Sequence, residues 1–245
     1  MIHLDKISTT PPADASKKEI KEATEQLVKR LGELQRVMYA EKKHSVLVVL
    51  QGMDGSGKDG AVVNVFNDCA PMGLEVVGFK KPTEEEFAHD FLWRIHKHAP
   101  QRGMINIFVR SHYEDILIQR VHKWISEDRV EKRMQSINAF EELLAYDNHT
   151  QVCKFFLHIS KEQQQMELQQ RLDDPTKYWK HNAADWRERE LWPDYMRCYE
   201  DALNRSSISW TVVPVDERWY RDYVIAKTLV ERLEQLDMKF PPLEK

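Results

Sequence analysis

The hydrophobic positions of the chain fall into two kinds of run. Short apolar stretches rich in valine, isoleucine and phenylalanine occur at 46–51 (VLVVLQ), 74–79 (LEVVGF), 104–109 (MINIFV), 153–159 (CKFFLHI) and 210–215 (WTVVPV). Their length and composition predict strands. The lack of a polar alternation predicts strands covered on both faces, as in a parallel sheet. Between them, apolar residues recur at intervals of three and four. Ser16 and Glu19 have capping-box spacing at the head of a helix predicted over 16–40, along which Ile20, Ala23, Leu27, Leu31, Leu34 and Met38 repeat. A helix predicted over 83–98 opens on Thr83 and Glu86, sets Phe87, Phe91 and Ile95 on one face and ends before Pro100. Further helices are predicted near 111–125, 131–146, 160–172, 183–204 and 217–237. Strand and helix alternate, which predicts one α/β domain over 1–245: a central five-stranded parallel sheet with helices on both faces. Residues 1–15, with their Thr-Thr-Pro-Pro stretch, read as a loose arm.

Composition narrows the class of protein. At 245 residues and 42% hydrophobic, the chain is long and apolar enough to bury one core of this kind. No long uncharged apolar run predicts a membrane span, and the N-terminus lacks the apolar stretch of a signal peptide. Cys69, Cys153 and Cys198 are odd in number and lack metal-ligand spacing, so they read as reduced thiols of a cytoplasmic protein. The ten histidines form no His-Glu-x-x-His pattern, and structural zinc is not expected. A net charge of −4 argues against a nucleic-acid coat, yet an anionic ligand needs only a local basic patch.

The chemistry concentrates in QGMDGSGKDG, residues 51–60. Gly52, Gly57 and Lys58 fit the G-x-x-x-x-G-K pattern of a Walker A phosphate loop, between a predicted strand and a predicted helix. Glycines at 52, 55 and 57 let backbone N–H groups face one concavity, and the helix N-terminus adds positive potential. Lys58 is the point charge for the phosphates, with its side chain expected in solvent until they arrive. The residue after Lys58, usually Ser or Thr on magnesium, is Asp59. A carboxylate can hold magnesium itself or through water, or it can cap the helix. Asp54 is a second acid in the same concavity. Two acids beside a phosphate cradle repel each other and the ligand unless a metal or a base lies between them.

GMDGSGKDG, FKKPTEEEFAHDFLWRIHKHAP, RSHYEDILIQRV and RLDDPTKYWKHNAADWRERELWPDY follow one another in an order that resembles the polyphosphate kinase 2 family, over residues 17–242. The resemblance implies a three-layer α/β/α P-loop kinase fold similar to thymidylate kinase, with a helical lid over about 160–204. It implies magnesium-dependent transfer of the terminal phosphate of inorganic polyphosphate to a nucleotide. SHYED resembles the branch acting on both nucleoside mono- and diphosphates, so AMP, ADP and ATP are the expected partners. A homodimer or homotetramer is the expected assembly. Carried over by position, the catalytic residues are Asp54, Lys58 and Arg110. Phosphate binding carries over to Gly57 and Lys58 in the loop and to Arg171 and Lys180 in the lid, and the loop's own sequence adds Gly55, Ser56 and Asp59. Asp54 and Asp59 are the expected magnesium ligands. One position departs: the family has Asp or Asn before the Arg-Ser of the third motif, and this chain has Val109.

Residues just after strands converge on the ligand crevice of a doubly wound sheet, which adds Lys80 and Lys81 to Arg110 as phosphate-binding candidates. Arg94 either grips a phosphate or pairs with Asp90, four residues earlier. Glu114 is a substitute for the missing acid or, at capping-box spacing from Ser111, a helix cap; the spacing favours the cap. Arg187 and Arg189 read as a solvated helix face. Tyr178, Trp179, Trp186, Trp192 and Tyr195 stack a base or pack the lid. His112 takes no role, because phosphate acceptors are already ionised. Two other functions stay open: an ATP-dependent nucleoside monophosphate kinase, and a polyphosphate- or nucleotide-binding protein weakened at Val109.

Overall fold

The computed structural model describes residues 1–243. Its strands are β1 (Ser45–Gln51), β2 (Leu74–Gly78), β3 (Ile105–Val109), β4 (Thr150–His158) and β5 (Trp210–Pro214). They form one sheet in the order β2-β3-β1-β4-β5, and every pairing is parallel. All seven residues of β1 are buried. Side chains alternate faces along a strand, so both faces of the sheet centre are covered and the architecture is α/β/α. The edge strand β2 is only partly covered, with Val76 exposed.

The helices are α1 (Lys17–Glu41), α2 (Lys58–Val65), α3 (Glu84–Ala88), α4 (Trp93–His96), α5 (Ile118–Val121), α6 (Glu127–Asp147), α7 (Lys161–Asp173), α8 (Ala183–Glu190), α9 (Trp192–Arg205) and α10 (Arg218–Glu234). Helices α1 and α10 pack along each other, and α2 lies beside α10. Ser16 caps α1 by accepting from the Glu19 N–H, as the spacing predicts. No helix of the described residues is long and apolar enough to cross a membrane. Cys69, Cys153 and Cys198 are free and buried.

Four expectations need correction, and the simplest is the helix over 183–204, which a break at Leu191 divides into α8 and α9. The helix over 83–98 is two short ones. Thr83 and Glu86 do form a capping box, but the helix stops at His89, and the Asp90 carboxylate accepts the Leu92 N–H at 2.9 Å to start a new turn. Phe87, placed by periodicity on an apolar face with Phe91 and Ile95, is 77% exposed. The stretch 111–125 holds only a 3-10 turn over His112–Asp115 and the four residues of α5. The arm over 1–15 is tied down rather than loose. Leu4 is buried, Ile2 and Asn204 exchange two hydrogen bonds, the His158 ring meets the Leu4 carbonyl, and Thr9 donates to Asp216.

Candidate active site

The loop between β1 and α2 lies at the carboxyl end of the central strand, where a doubly wound sheet places its ligands. Its conformation follows from where its carbonyls go. Lys58 Nζ donates to the carbonyls of Gly52 (2.8 Å) and Met53 (3.1 Å). Gln164 of α7 donates to Asp54 O at 3.0 Å. Arg218 donates to Gly55 O and Ser56 O, each at 2.6 Å, and Arg221 to Gly57 O at 2.9 Å. Six successive carbonyls are therefore turned into the protein. The N–H groups of Gly55, Gly57, Lys58 and Asp59 find no acceptor among the described residues. Gly55 and Gly57 both have φ +83, in the left-handed region that glycine adopts without strain. The result is an amide-lined anion cradle at a helix N-terminus. Ser56 departs from its assignment. Its N–H closes a turn on Met53 O and its side chain is fully buried, so it shapes the cradle without lining it.

Lys58 is buried against the loop carbonyls, where solvent was expected. Burial pulls its ammonium down to about 8; Asp54 opposes that shift and Arg110 adds to it. Arg110, directly after β3, has φ +63, unusual for a residue with a Cβ. That conformation brings its guanidinium to Asp54 at 2.5 Å. Burial opposes the Arg110 charge, but Asp54 and Glu114 outweigh it and raise its pKa. Burial would also raise the Asp54 carboxyl, yet Arg110 and Lys58 hold it below the usual carboxylate range. The base needed to quiet the loop acid is thus Arg110. Val109 lines the cleft beside it. Glu114 is not a cap: the Ser111 hydroxyl takes the Tyr113 N–H, and the Glu114 carboxylate accepts from Gln51 at 3.1 Å, at the base of the loop.

The cleft above the loop has a volume of about 760 Å³, lined by nine basic side chains and four acidic ones. Lys80, Lys81, Arg171 and Lys180 line it with Lys58 and Arg110, as the sequence predicts. Arg171 is held by Asp185 at 2.7 Å, and Lys180 Nζ stands 3.9 Å from the largely exposed Asp59. Arg94 is misplaced by the sequence reading. It is buried behind the cleft, bonded to Lys80 O at 2.8 Å and flanked by Glu86 and Asp115, so it braces the Lys80–Lys81 turn and does not pair with Asp90. Arg187 is exposed, whereas Arg189 joins α8 to α7 through Lys161 O and Gln165. Tyr178 and Trp179 are exposed outside the cleft, and Phe79 is its one aromatic lining residue. His112 is buried against Glu141, and burial lowers its pKa.

The sequence reading missed Arg218 and Arg221, which line the cleft together with Lys177 of the lid. Two arginines in the first turn of a helix oppose its dipole, and that mismatch was the available signal that something near α10 needs positive charge.

Residues 14–241 match the family model described as polyphosphate kinase 2. The AMP/ADP-polyphosphate phosphotransferase of Meiothermus ruber is 44% identical, over 96% of this chain and 89% of that protein. The ADP-polyphosphate phosphotransferase of Rhodopseudomonas palustris is 38% identical, over 94% and 84%. The crystal structure of polyphosphate kinase 2 from Arthrobacter aurescens superposes with a TM-score of 0.95 at 38% identity, covering 100% of this chain and 89% of that one. A match of this extent, on a fold built around the same loop that the sequence singled out, leaves one conclusion: the chain belongs to the polyphosphate kinase 2 family.

Proposed function

We propose that this protein moves the terminal phosphate of inorganic polyphosphate to ADP and to AMP. The observation that carries the reading is the amide-lined loop set in a cleft with nine basic side chains against four acidic ones. Polyphosphate carries about one charge per phosphate, and a loose phosphoryl-transfer transition state asks chiefly for positioning and charge neutralisation. Asp54, Lys58 and Arg110 stand where the transferred group would sit. Lys80, Lys81, Arg171, Lys177 and Lys180 form cationic walls for the rest of the chain. The two relatives named for AMP/ADP and for ADP support these acceptors.

The site suits a divalent cation that shares its ligands with substrate. Among the described residues, the one His/Asp/Glu group close enough to cage an ion is His3, Asp5 and Glu200, outside the cleft. The cleft offers separate carboxylates, Asp54 and Asp59. Magnesium keeps waters and phosphate oxygens and needs only one or two carboxylates, so these donors fit it. When bound, it would neutralise phosphate oxygens. The segment over about 160–204 serves as a lid in this reading, since it brings Arg171, Lys177 and Lys180 over the loop.

The test is a donor swap. Purified protein with magnesium and either ADP or AMP should form the next higher phosphate when polyphosphate is supplied. Turnover with ATP as phosphate donor to AMP, and none with polyphosphate, would make it a nucleoside monophosphate kinase. Tight polyphosphate binding with no turnover in either assay would make it a binding protein.

A further inference from the structure

We propose that Arg218 is a positioning residue that makes the shape of the phosphate loop depend on the seating of α7, through Glu167. This rests on the phosphoryl-transfer reading of the cleft. Arg218 is the first residue of α10. Its guanidinium divides its donors between two partners. Two of its nitrogens hold the carbonyls of Gly55 and Ser56, and one of these also meets the Glu167 carboxylate of α7 at 2.8 Å. A planar fork with five N–H donors can hold two backbone carbonyls in fixed directions while its charge pairs with a carboxylate; an ammonium on a flexible stem cannot. A Cβ on Gly57 would collide with the Arg218 guanidinium, so the loop backbone runs directly beneath it.

Glu167 also faces the backbone of the loop. A Cβ on Gly55 would lie 3.4 Å from that of Glu167, and the neighbouring Gln164 holds Asp54 O. One helical turn further on, on the same face of α7, Arg171 lines the cleft. A phosphate chain that draws on Arg171 therefore acts on the rod that carries Glu167. Through Arg218 that displacement reaches two carbonyls whose peptide planes set the direction of the loop amides. Closure over the polyanion and alignment of the cradle become one event. Glu167 itself gives the inference its sharpest test, because its charge repels the polyanion while its ion pair with Arg218 steadies the loop.

The variants are Glu167→Gln, Arg218→Ala, Arg218→Lys and the double variant Glu167→Gln/Arg218→Ala. Glu167→Gln removes a negative charge, so simple electrostatics predicts tighter polyphosphate and faster turnover. The latch predicts the opposite: kcat lower by about 10-fold, with a smaller change in KM. Misplacing reacting groups by about 1 Å costs up to ~100-fold, and Arg218→Ala should approach that figure. The double variant should be no slower than Arg218→Ala alone. Arg218→Lys should fail to restore kcat, since charge without the fork is not enough. Hydrogen exchange of the unliganded protein gives a readout independent of turnover: the Ser56 amide, bonded to Met53 O, and the Ala61 amide, bonded to Gly57 O, should exchange faster in Glu167→Gln and in Arg218→Ala. Unchanged exchange together with kcat equal to or above wild type in Glu167→Gln overturns the latch, and so does full rescue by lysine. A wild-type enzyme inactive with polyphosphate would instead overturn the proposed function, and the exchange result would still decide the latch.

Discussion

Lys58 shows how one buried residue sets both the stability and the pH response of the site. Burial lowers its ammonium from the usual 10.5 to about 8. Between those values the unfolded chain binds more protons than the folded one, so this group makes stability rise with pH through that window. Below pH 8 the buried charge costs on the order of 3 kcal/mol at 1.36 kcal/mol per pH unit. Lys58→Met removes that cost but leaves the Gly52 carbonyl without a donor, at about 1–3 kcal/mol, while Met53 O keeps the Ser56 N–H. The two effects oppose each other, so the variant should melt within a few degrees of wild type while losing ~10²–10³ in turnover. Bound phosphate stabilises the charged amine, so tripolyphosphate binding at pH 9 should take up a proton. Calorimetry in two buffers of different ionisation enthalpy should show that uptake in wild type and not in Lys58→Met. Val109 is a second residue-scale case. The sequence makes its strand end look short of an acid, but Glu114, turned toward Gln51, lies close enough to influence both Lys58 and Arg110. We propose that Glu114, five positions further on, takes the place of that acid. Val109→Asp should therefore leave a magnesium titration unchanged or shift it to higher concentration, through added repulsion. Glu114→Gln should shift it to higher concentration by ~10–100-fold, the usual loss for an outer-shell metal partner.

At the scale of elements, what was legible in the sequence was what local pattern determines. Five valine- and phenylalanine-rich runs became five strands, and the Thr83–Glu86 capping box formed as spaced. What failed were places where a distant partner outbids a local one. Ser111 and Glu114 have the spacing of a cap, but Gln51, remote in sequence, claims the carboxylate. Asp90 is the opposite case: a contact only two residues on, to the Leu92 N–H, cuts a helix that the aromatic periodicity had drawn as continuous. Arg218 and Arg221 act on a loop more than 160 residues away, beyond any local pattern. The apolar run over 153–159 conceals a further case. Lys154, in the middle of β4, is fully buried between the Glu141 carboxylate of α6 (2.5 Å) and the Tyr113 hydroxyl (2.8 Å). Burial lowers the Lys154 pKa, and Lys154 with His112 helps to hold Glu141 ionised. Removing one member strands a buried charge, which costs about 3–5 kcal/mol, whereas removing the pair is often neutral. Urea unfolding should show that loss for Lys154→Met and recovery of most of it in Lys154→Met/Glu141→Leu. Additive losses would mean that the pair is not the unit of stability at the β4–α6 seam.

At the scale of the molecule, the N-terminal arm ties together segments that the topology leaves apart. A Thr-Thr-Pro-Pro composition signals a stretch without regular structure, and residues 9–12 have none, although Leu4–Lys6 form a 3-10 turn. Composition carries no information about anchoring, which here depends on groups some 150–200 residues away. Leu4 enters the core cluster, its carbonyl meets His158 at the end of β4, and its N–H meets Glu200 of α9. Thr9 then donates to one oxygen of Asp216 at 2.7 Å, while the other oxygen accepts the Ser160 N–H at 2.8 Å. Ser160 is the N-cap of α7, the helix that carries Glu167 and Arg171. The arm thus fastens the root of the segment proposed as the lid. Deleting residues 2–9 exposes the Leu4 pocket, at about 1.5–3 kcal/mol for one buried leucine. It also removes the hydrogen bonds to Asp216 and Glu200, each worth about 0.5–1.5 kcal/mol. The truncated protein should melt several degrees lower than wild type. Backbone amides over 160–173 should exchange faster even at temperatures where the fold is intact, and Thr9→Ala should reproduce a small part of that acceleration. If the truncated chain melts lower but α7 exchanges at the wild-type rate, the arm is a patch on the core alone. If α7 loosens, the arm is what gives the lid a fixed hinge, because Asp216 can hold Ser160 in place only while Thr9 holds Asp216.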